Sequence, residues 1–401
     1  MTNKQHAVVP RGELLGVERT SRQRRLVLHL DADLRARDLS GVGRSELRAG
    51  QTYVHGYIEG RQRAAGDSGL LAPLVRQRPL GIGFALLGVR VAEQPDHRRD
   101  STCLCHPQHA LAYACIDIGS NTTRILVAEV EEGRVRELMT QRAFTRIGKG
   151  LQKGAPIPRK RIDATVECVA TQTRAARELG VKDLVIVATA AIRKASNRNK
   201  VLKAIEAEVG VVPTILSGKD EARLSFVGAL AALGSGAQGS IAVVDVGGGS
   251  TEIAVGTPEN GVKWSESFDV GSGFLADSYF TADPPGAVEL HRAREHALGV
   301  FEGLEVPSAE RAVAVGGSAN SLRRVTGAVL EHETLERALR VLASEPAELV
   351  ADRFSLDPDR VRVLPAGTLL LEAVSDTLGL PLHIAGGGLR EGVVLELAAA
   401  A

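Results

Sequence analysis

The chain has 401 residues, 44% hydrophobic, 24% charged and 3% aromatic, with a formal net charge of +1. Those values describe a globular chain long enough for two or three domains and exclude a collagen-like, disulfide-stapled or wholly disordered one. No run approaches the ~20 apolar residues of a bilayer span, and MTNKQHAVVPRGELL carries no secretory signal, so a cytoplasmic protein with no membrane partner is expected. Four cysteines are too few for a disulfide framework, which agrees with a reducing compartment.

The near-zero charge averages two unlike segments. Residues 1–112 hold 16 Arg and 1 Lys against 11 acids, a net of +6, whereas residues 113–401 hold 23 Arg and 9 Lys against 37 acids, a net of −5. The first segment shows a short β-like stretch, Leu26–Leu30, and otherwise little periodicity. It lacks the aromatic interleaving or helical arginine stripe of a nucleic-acid reader, so no specific nucleic-acid partner is expected. Cys103, Cys105, His106 and His109 resemble half a metal site, but a structural zinc site needs a second ligand pair and none is near. The preferred reading of residues 1–112 is a low-complexity, disordered extension or a mis-assigned start, with the native chain beginning near Leu111.

From Tyr113 the pattern becomes that of an α/β fold. Strands are predicted at Ala114–Ile118, Ile125–Val130 and Arg134–Arg142, then a helix over Lys160–Leu179 and a buried strand at Leu184–Ala188. A helix at Asn199–Val209, a strand at Val211–Leu216 and a helix at Asp220–Leu233 complete a first domain, residues 113–236. Gly234–Gly239 reads as a linker. The cycle restarts in a second domain, residues 237–401, with strands at Ile241–Val246, Glu252–Val255 and Val262–Val270. The remainder is mostly helical apart from Ala312–Val315 and Leu382–Ala385, and the last helix is expected to pack back on the first domain.

The restart is a repeat. Ile116-Asp117-Ile-Gly119-Ser120-Asn121-Thr122-Thr123-Arg124-Ile125 aligns without gaps on Val244-Asp245-Val-Gly247-Gly248-Gly249-Ser250-Thr251-Glu252-Ile253, an offset of 128 residues. In each copy an apolar strand ends in Asp, passes a small-residue turn and re-enters a strand. A turn of Gly, Ser and Thr exposes backbone N–H groups and hydroxyls that wrap a phosphate closely, because no Cβ blocks the approach. An Asp beside it suits a hydrated Mg²⁺ that neutralises phosphate oxygens.

Paired phosphate hairpins of this kind resemble the actin/Hsp70/sugar-kinase superfamily of duplicated ribonuclease-H-like domains with an interdomain cleft. Within it, the chain is similar to the exopolyphosphatase and guanosine-pentaphosphate phosphohydrolase (Ppx/GppA) family. The strings that carry this are Asp117-Ile-Gly-Ser-Asn121, Ala188-Thr-Ala-Ala-Ile-Arg193, Leu216-Ser-Gly-Lys-Asp-Glu-Ala-Arg-Leu224, Asp245-Val-Gly-Gly-Gly-Ser-Thr-Glu252, Gly316-Gly-Ser318 and Gly386-Gly-Gly-Leu-Arg-Glu-Gly392. The resemblance runs from about residue 113 to the end, and the chain resembles the short, two-domain members.

What the resemblance implies is specific. Glu221 falls at the family's catalytic glutamate, which positions and deprotonates water; read alone, it is also an acid that favours a helix N-terminus. Arg193 resembles the family's cleft arginine that clamps phosphate; read alone, it is also a solvated loop arginine. Asp245 takes the place of the Mg²⁺ ligand, with Asp117 and Glu252 as partners holding metal-bound water, although carboxylates at strand ends also cap turns. Ser120, Asn121 and Thr122 from one hairpin and Gly247, Gly248, Gly249 and Ser250 from the other are the expected phosphate donors. Gly316, Gly317 and Ser318 form a third glycine-rich turn with the same expected use.

The activity implied is Mg²⁺-dependent hydrolysis, with Mn²⁺ as a substitute, of terminal phosphoanhydride bonds in inorganic polyphosphate. The alternatives are hydrolysis of guanosine pentaphosphate, which uses the same phosphate chemistry, and a non-catalytic polyphosphate or nucleotide sensor. A homodimer is the expected assembly, as for most soluble oligomers.

Overall fold

A computed structural model describes residues 111–401 together with four short strands near the start. The chain divides into two compact units, Met1–Leu104 and Cys105–Ala401. In the first, β1 (Gln5–Val8) pairs antiparallel with β2 (Leu14–Val17), and β3 (Arg19–Thr20) with β4 (Gln23–Arg24). The Leu26–Leu30 stretch and the group of Cys103, Cys105, His106 and His109 lie outside the described residues.

The second unit holds two sheets of the same plan. In the first lobe, β5 (Ala112–Ile118), β6 (Thr123–Glu131) and β7 (Arg134–Ala143) form an antiparallel meander. Helix α1 (Arg159–Glu178) crosses over to β8 (Asp183–Ala188), parallel to β5; α2 (Ala190–Lys194) and α3 (Arg198–Val209) lead to β9 (Thr214–Ile215), parallel to β8. The strand order is β7-β6-β5-β8-β9. Strand β9 has two residues rather than the expected Val211–Leu216, because Pro213 has no N–H to give a ladder. Helix α4 (Gly218–Leu233) follows, its start set by a capping box between Ser217 and Asp220.

In the second lobe, β10 (Ile241–Val246), β11 (Thr251–Thr257) and β12 (Gly261–Phe268) repeat the meander, followed by α5 (Ser272–Tyr279) and α6 (Ala287–Phe301). Strand β13 (Arg311–Val315) lies parallel to β10 and runs straight into α7 (Gly316–Thr326). Then come β14 (Val329–Leu330), α8 (His332–Leu342), α9 (Ala347–Phe354), α10 (Pro358–Val361), α11 (Leu364–Leu378), β15 (Leu382–Ile384) and α12 (Leu389–Ala399). The order β12-β11-β10-β13-β15 reproduces that of the first lobe, with β14 added at the edge. No helix among the described residues is long and apolar enough to cross a membrane.

The helices that close the two repeats change places. Ala222, Phe226 and Ala229 of α4 share one apolar cluster with Ile241, Val243, Ala254 and Val313 of the second sheet. Val393 and Val394 of α12 join Tyr113, Cys115, Leu126 and Ala128 of the first sheet, and Leu224 of α4 completes that cluster. Where the two helices cross, backbone meets backbone. A Cβ on Gly228 would strike the carbonyl oxygen of Gly388, and one on Gly392 that of Leu224. The apolar faces of both sheets are thereby covered, and α4 is held between them.

This contact yields a pair of opposite expectations. Gly228→Ala should lower the thermal midpoint, because overpacking costs about 1–3 kcal/mol. Gly299→Ala, in the last turn of α6 where an added Cβ meets nothing within 4 Å, should raise it through helix propensity, by up to about 1 kcal/mol. Equal midpoints for the two variants would contradict the crossing described.

Candidate active site

The two hairpins close identically. Gly119 N–H donates to Thr122 O at 3.0 Å, and Gly247 N–H donates to Ser250 O at 3.0 Å, 128 residues on. Their carbonyls are engaged elsewhere. Ser272 N–H and Gly273 N–H, at the start of α5, donate to Gly247 O and Gly248 O at 2.9 Å each; Gly148 N–H and Arg146 N–H donate to Ser120 O at 2.8 Å and Asn121 O at 2.9 Å. The hairpins face each other so closely that a Cβ on Gly249 would strike Ser120 Oγ, and one on Gly248 would lie 3.1 Å from Asn121 Cβ. A side chain at either position would push the hairpins apart or displace Ser120.

Beneath them lies a cavity of about 150 Å³, lined from both lobes by Asp117, Asp245, Glu221 and Glu252 and by the two hairpins. Register explains the pairing of charges. Asp245 stands opposite Glu252 across β10 and β11, and Asp117 opposite Arg124 across β5 and β6. Glu221 enters from the first turn of α4 and is 6% exposed. One turn on, Ser225 Oγ donates to Asp245 Oδ2 at 2.9 Å, while Ser267 Oγ donates to Glu252 Oε1 at 2.8 Å.

Burial raises the pKa of all four acids, and their proximity adds to it. Asp117 is pushed up to about 6 by burial, opposed by Arg124 and Arg390 and aided by Asp245. Asp245 and Glu221 are raised by burial, with Ser225 and Arg193 respectively pulling them back. Glu252 is raised well above the usual range by burial and by the neighbouring Glu221 and Asp245.

Arg193 sits in α2 rather than in a loop; its Nη1 is ion-paired with Glu221 and donates to Leu216 O at 2.8 Å. Arg193 is not among the residues lining the cavity; three other arginines line it, Arg124, Arg360 and Arg390, none of them an expected site residue. Arg360 is 4% exposed and its Nε has no hydrogen-bond partner among the described residues. Burial, with Arg124 and Arg142 nearby, lowers it to about 9. Arg124 follows from the repeat, as the residue aligned with Glu252. Arg390 lies in the Gly386–Gly392 string, and no local pattern marks Arg360.

The expected third turn is different in kind. Gly316, Gly317 and Ser318 are the first turn of α7, since β13 enters the helix without a loop. Gly316, at φ +80°, lies where a Cβ would strike Asp245 Oδ1, and a Cβ on Gly317 would press on Arg124 and Arg360. Ser318 does not line the cavity; its hydroxyl is buried and donates to Val246 O at 3.1 Å. Ser120, Asn121, Thr122, Gly247, Gly248, Gly249 and Ser250 all line it, as do Gly316 and Gly317. A second cavity of about 900 Å³ shares Ser120, Asn121, Gly248 and Gly249 with the first and continues outward between the lobes.

The donor set suits a hard divalent cation. Five carboxylates share one cavity, Glu391 with the four above, and Asp117 Oδ1 is buried with no hydrogen-bond partner among the described residues. Oxygen ligands of this kind match Mg²⁺ or Mn²⁺ rather than a thiophilic metal.

The raised acids have a consequence for stability. Asp117 lies above its unfolded value, so the folded chain holds its proton more tightly between pH 3.8 and about 6. Stability in chelator should therefore fall as pH rises through that window, through Asp117. Thermal melts across the window should show a shallower slope for Asp117→Asn; an unchanged slope would refute the assignment.

The described geometry has known counterparts. A model of the Ppx/GppA phosphatase family matches residues 126–401. Exopolyphosphatase 1 of Mycobacterium tuberculosis is 30% identical over 299 residues, 70% of this chain and 86% of that protein. Guanosine-5'-triphosphate,3'-diphosphate pyrophosphatase of Aeromonas hydrophila is 26% identical over 300 residues, 71% of this chain and 59% of its own length. Among solved structures, the Aquifex aeolicus Ppx/GppA family member superposes with a TM-score of 0.62 at 25% identity, covering 72% of this chain and 98% of that one. With duplicated ribonuclease-H-like lobes, paired hairpins and a family match over most of its length, the chain belongs to the Ppx/GppA phosphatase family.

Proposed function

We propose that the protein is an exopolyphosphatase, removing terminal orthophosphate from inorganic polyphosphate by hydrolysis. The observation that carries this reading is the small cavity in which two phosphate-type hairpins, a buried glutamate and a cluster of carboxylates meet. Its similarity to proteins named exopolyphosphatase points the same way.

The chain's own residues divide the work. Hairpin N–H groups and the hydroxyls of Ser120 and Ser250 hold the terminal phosphoryl group, and Arg193, ion-paired with Glu221 before substrate enters, turns its forked guanidinium to the phosphate oxygens. Glu221 accepts the proton of the attacking water; burial raises its proton affinity, which suits a base working near neutral pH. The water oxygen bonds to phosphorus, the bridging P–O bond breaks, and its electron pair leaves with the shortened chain. Asp245, with Asp117 and Glu252, would hold Mg²⁺ or Mn²⁺, which supplies positive charge to the phosphate oxygens. Cys115 and Cys168 are free thiols, which agrees with a reducing, cytoplasmic setting.

A second reading, hydrolysis of guanosine pentaphosphate, is favoured by one feature. Phe274 and Phe280, with Val363 and Pro365, give the larger cavity an apolar wall that a nucleoside could use.

Orthophosphate release from long-chain polyphosphate, tripolyphosphate, guanosine pentaphosphate and ATP, each with Mg²⁺, separates the readings. Polyphosphate should turn over fastest, and preference for guanosine pentaphosphate would establish the second reading instead. Glu221→Gln should lower kcat by about 10²-fold or more with KM little changed. Full activity in that variant would remove Glu221 from the chemistry.

A further inference from the structure

Beside the larger cavity, which Arg146, Lys194 and Asp359 line, the ion pairs between the lobes run one way. The first lobe supplies the positive partner and the second an aspartate. Lys194 Nζ lies 3.0 Å and Lys153 Nζ 3.5 Å from Asp269, Arg146 is ion-paired with Asp359, and Arg142 Nη2 lies 3.9 Å from Asp357. Even the backbone follows, since Gly150 N–H donates to Asp277 Oδ2 at 2.8 Å. Lys149 lines the same cavity, and no ion pair engages it among the described residues.

This strip is continuous with the active site. Lys194 Nζ also donates to Gly249 O at 2.9 Å, in the second hairpin, and the segment from Arg146 to Gly148 is bonded to the first. The cavity it borders opens from the hairpins outward and is six times larger than the one beneath them, about 900 against 150 Å³. The inner cavity is of a size for one terminal phosphoryl group, and the outer has room for the units behind it.

The Lys153–Asp269 pair contributes little to folding. Lys153 is 82% exposed and Asp269 55%, and exposed pairs are weak and screened by salt. A polyanion competes for such cations at an advantage, because successive phosphates on one chain engage successive cations.

We infer that Arg146, Lys149, Lys153 and Lys194 bind the distal phosphates of a polyphosphate chain, which displaces Asp269 and Asp359 from the same cations. The inference rests on the polyphosphatase reading and adds to it a second subsite and a competition. The aspartates serve as stand-ins for substrate, holding the lobes together until the chain takes their partners. Two kinds of variant should then act in opposite directions. Removing an aspartate frees its cation and tightens binding, whereas removing a lysine weakens it. A pair that merely held the lobes together would weaken binding whichever member was lost.

The test uses the full 401-residue chain carrying Glu221→Gln, with Mg²⁺, and measures Kd for long-chain polyphosphate and for tripolyphosphate by calorimetry. Asp269→Asn and, separately, Asp359→Asn should lower Kd for the long chain by about twofold to fivefold, the worth of an exposed charge contact. Lys149→Ala and Lys153→Ala should raise it by a similar factor, and in all four variants the long chain should respond more than tripolyphosphate. Shifts of one sign for both classes, or equal shifts for both ligands, would overturn the inference while leaving the polyphosphatase reading in place. Failure of the parent to bind either polyphosphate would overturn that reading as well. Thermal midpoints of the variants show that each is folded.

Discussion

The carboxylates of Asp117, Asp245, Glu221 and Glu252 repel one another inside a common cavity, and much of the surrounding structure holds them there. Like charges in a poorly hydrated space separate unless the backbone prevents it. Two of the acids are fixed at strand ends by ladder register, one by a helix locked between two sheets, and one by a strand residue facing its neighbour across the ladder. Hydroxyls of Ser225 and Ser267 orient two of the carboxylates. Arg124 and Arg390 supply counter-charge to Asp117 and Asp245, and Arg124 is itself lowered in pKa by loss of solvent.

Glycine makes that arrangement possible by removing atoms. At Gly249 and Gly316 any side chain would occupy the space where hairpin meets hairpin or helix meets Asp245. Proximity follows, and so does the exposure of amide groups to a ligand. The hairpin carbonyls are bonded to α5 and to the Arg146–Gly148 segment, so the face turned to the cavity is rich in donors. The same glycines are the most conspicuous part of the sequence, because a function that needs small residues at fixed spacing leaves a local signature.

That explains what could be read in advance. The duplicated hairpins, the acids at strand ends and the start of α4 are local features, and their positions followed from strings of about ten residues. Strand β9 was overestimated because apolar composition outweighed Pro213 in the pattern. Ser318 was grouped with Gly316 and Gly317 by adjacency, yet in a helix three successive residues point in different directions, and its hydroxyl turns to Val246. Arg360 comes from a short helix distant in sequence and belongs to no repeat. Burial of an arginine beside an acid cluster is a tertiary event. The cross-lobe pairs are likewise invisible in sequence, since Lys153 and Asp269 are separated by 116 residues.

The exchange of α4 and α12 has an effect on how the molecule comes apart. Each sheet wears a helix encoded by the other half, so neither half retains a complete apolar layer when the chain is divided at Gly234–Gly239. Separation of the lobes is therefore limited to flexing about the crossing of the two helices, and anything larger exposes both cores at once. Melting of one lobe draws the other with it. A duplicated chain that might have become two autonomous modules is instead a single cooperative unit, with α4 as the shared part.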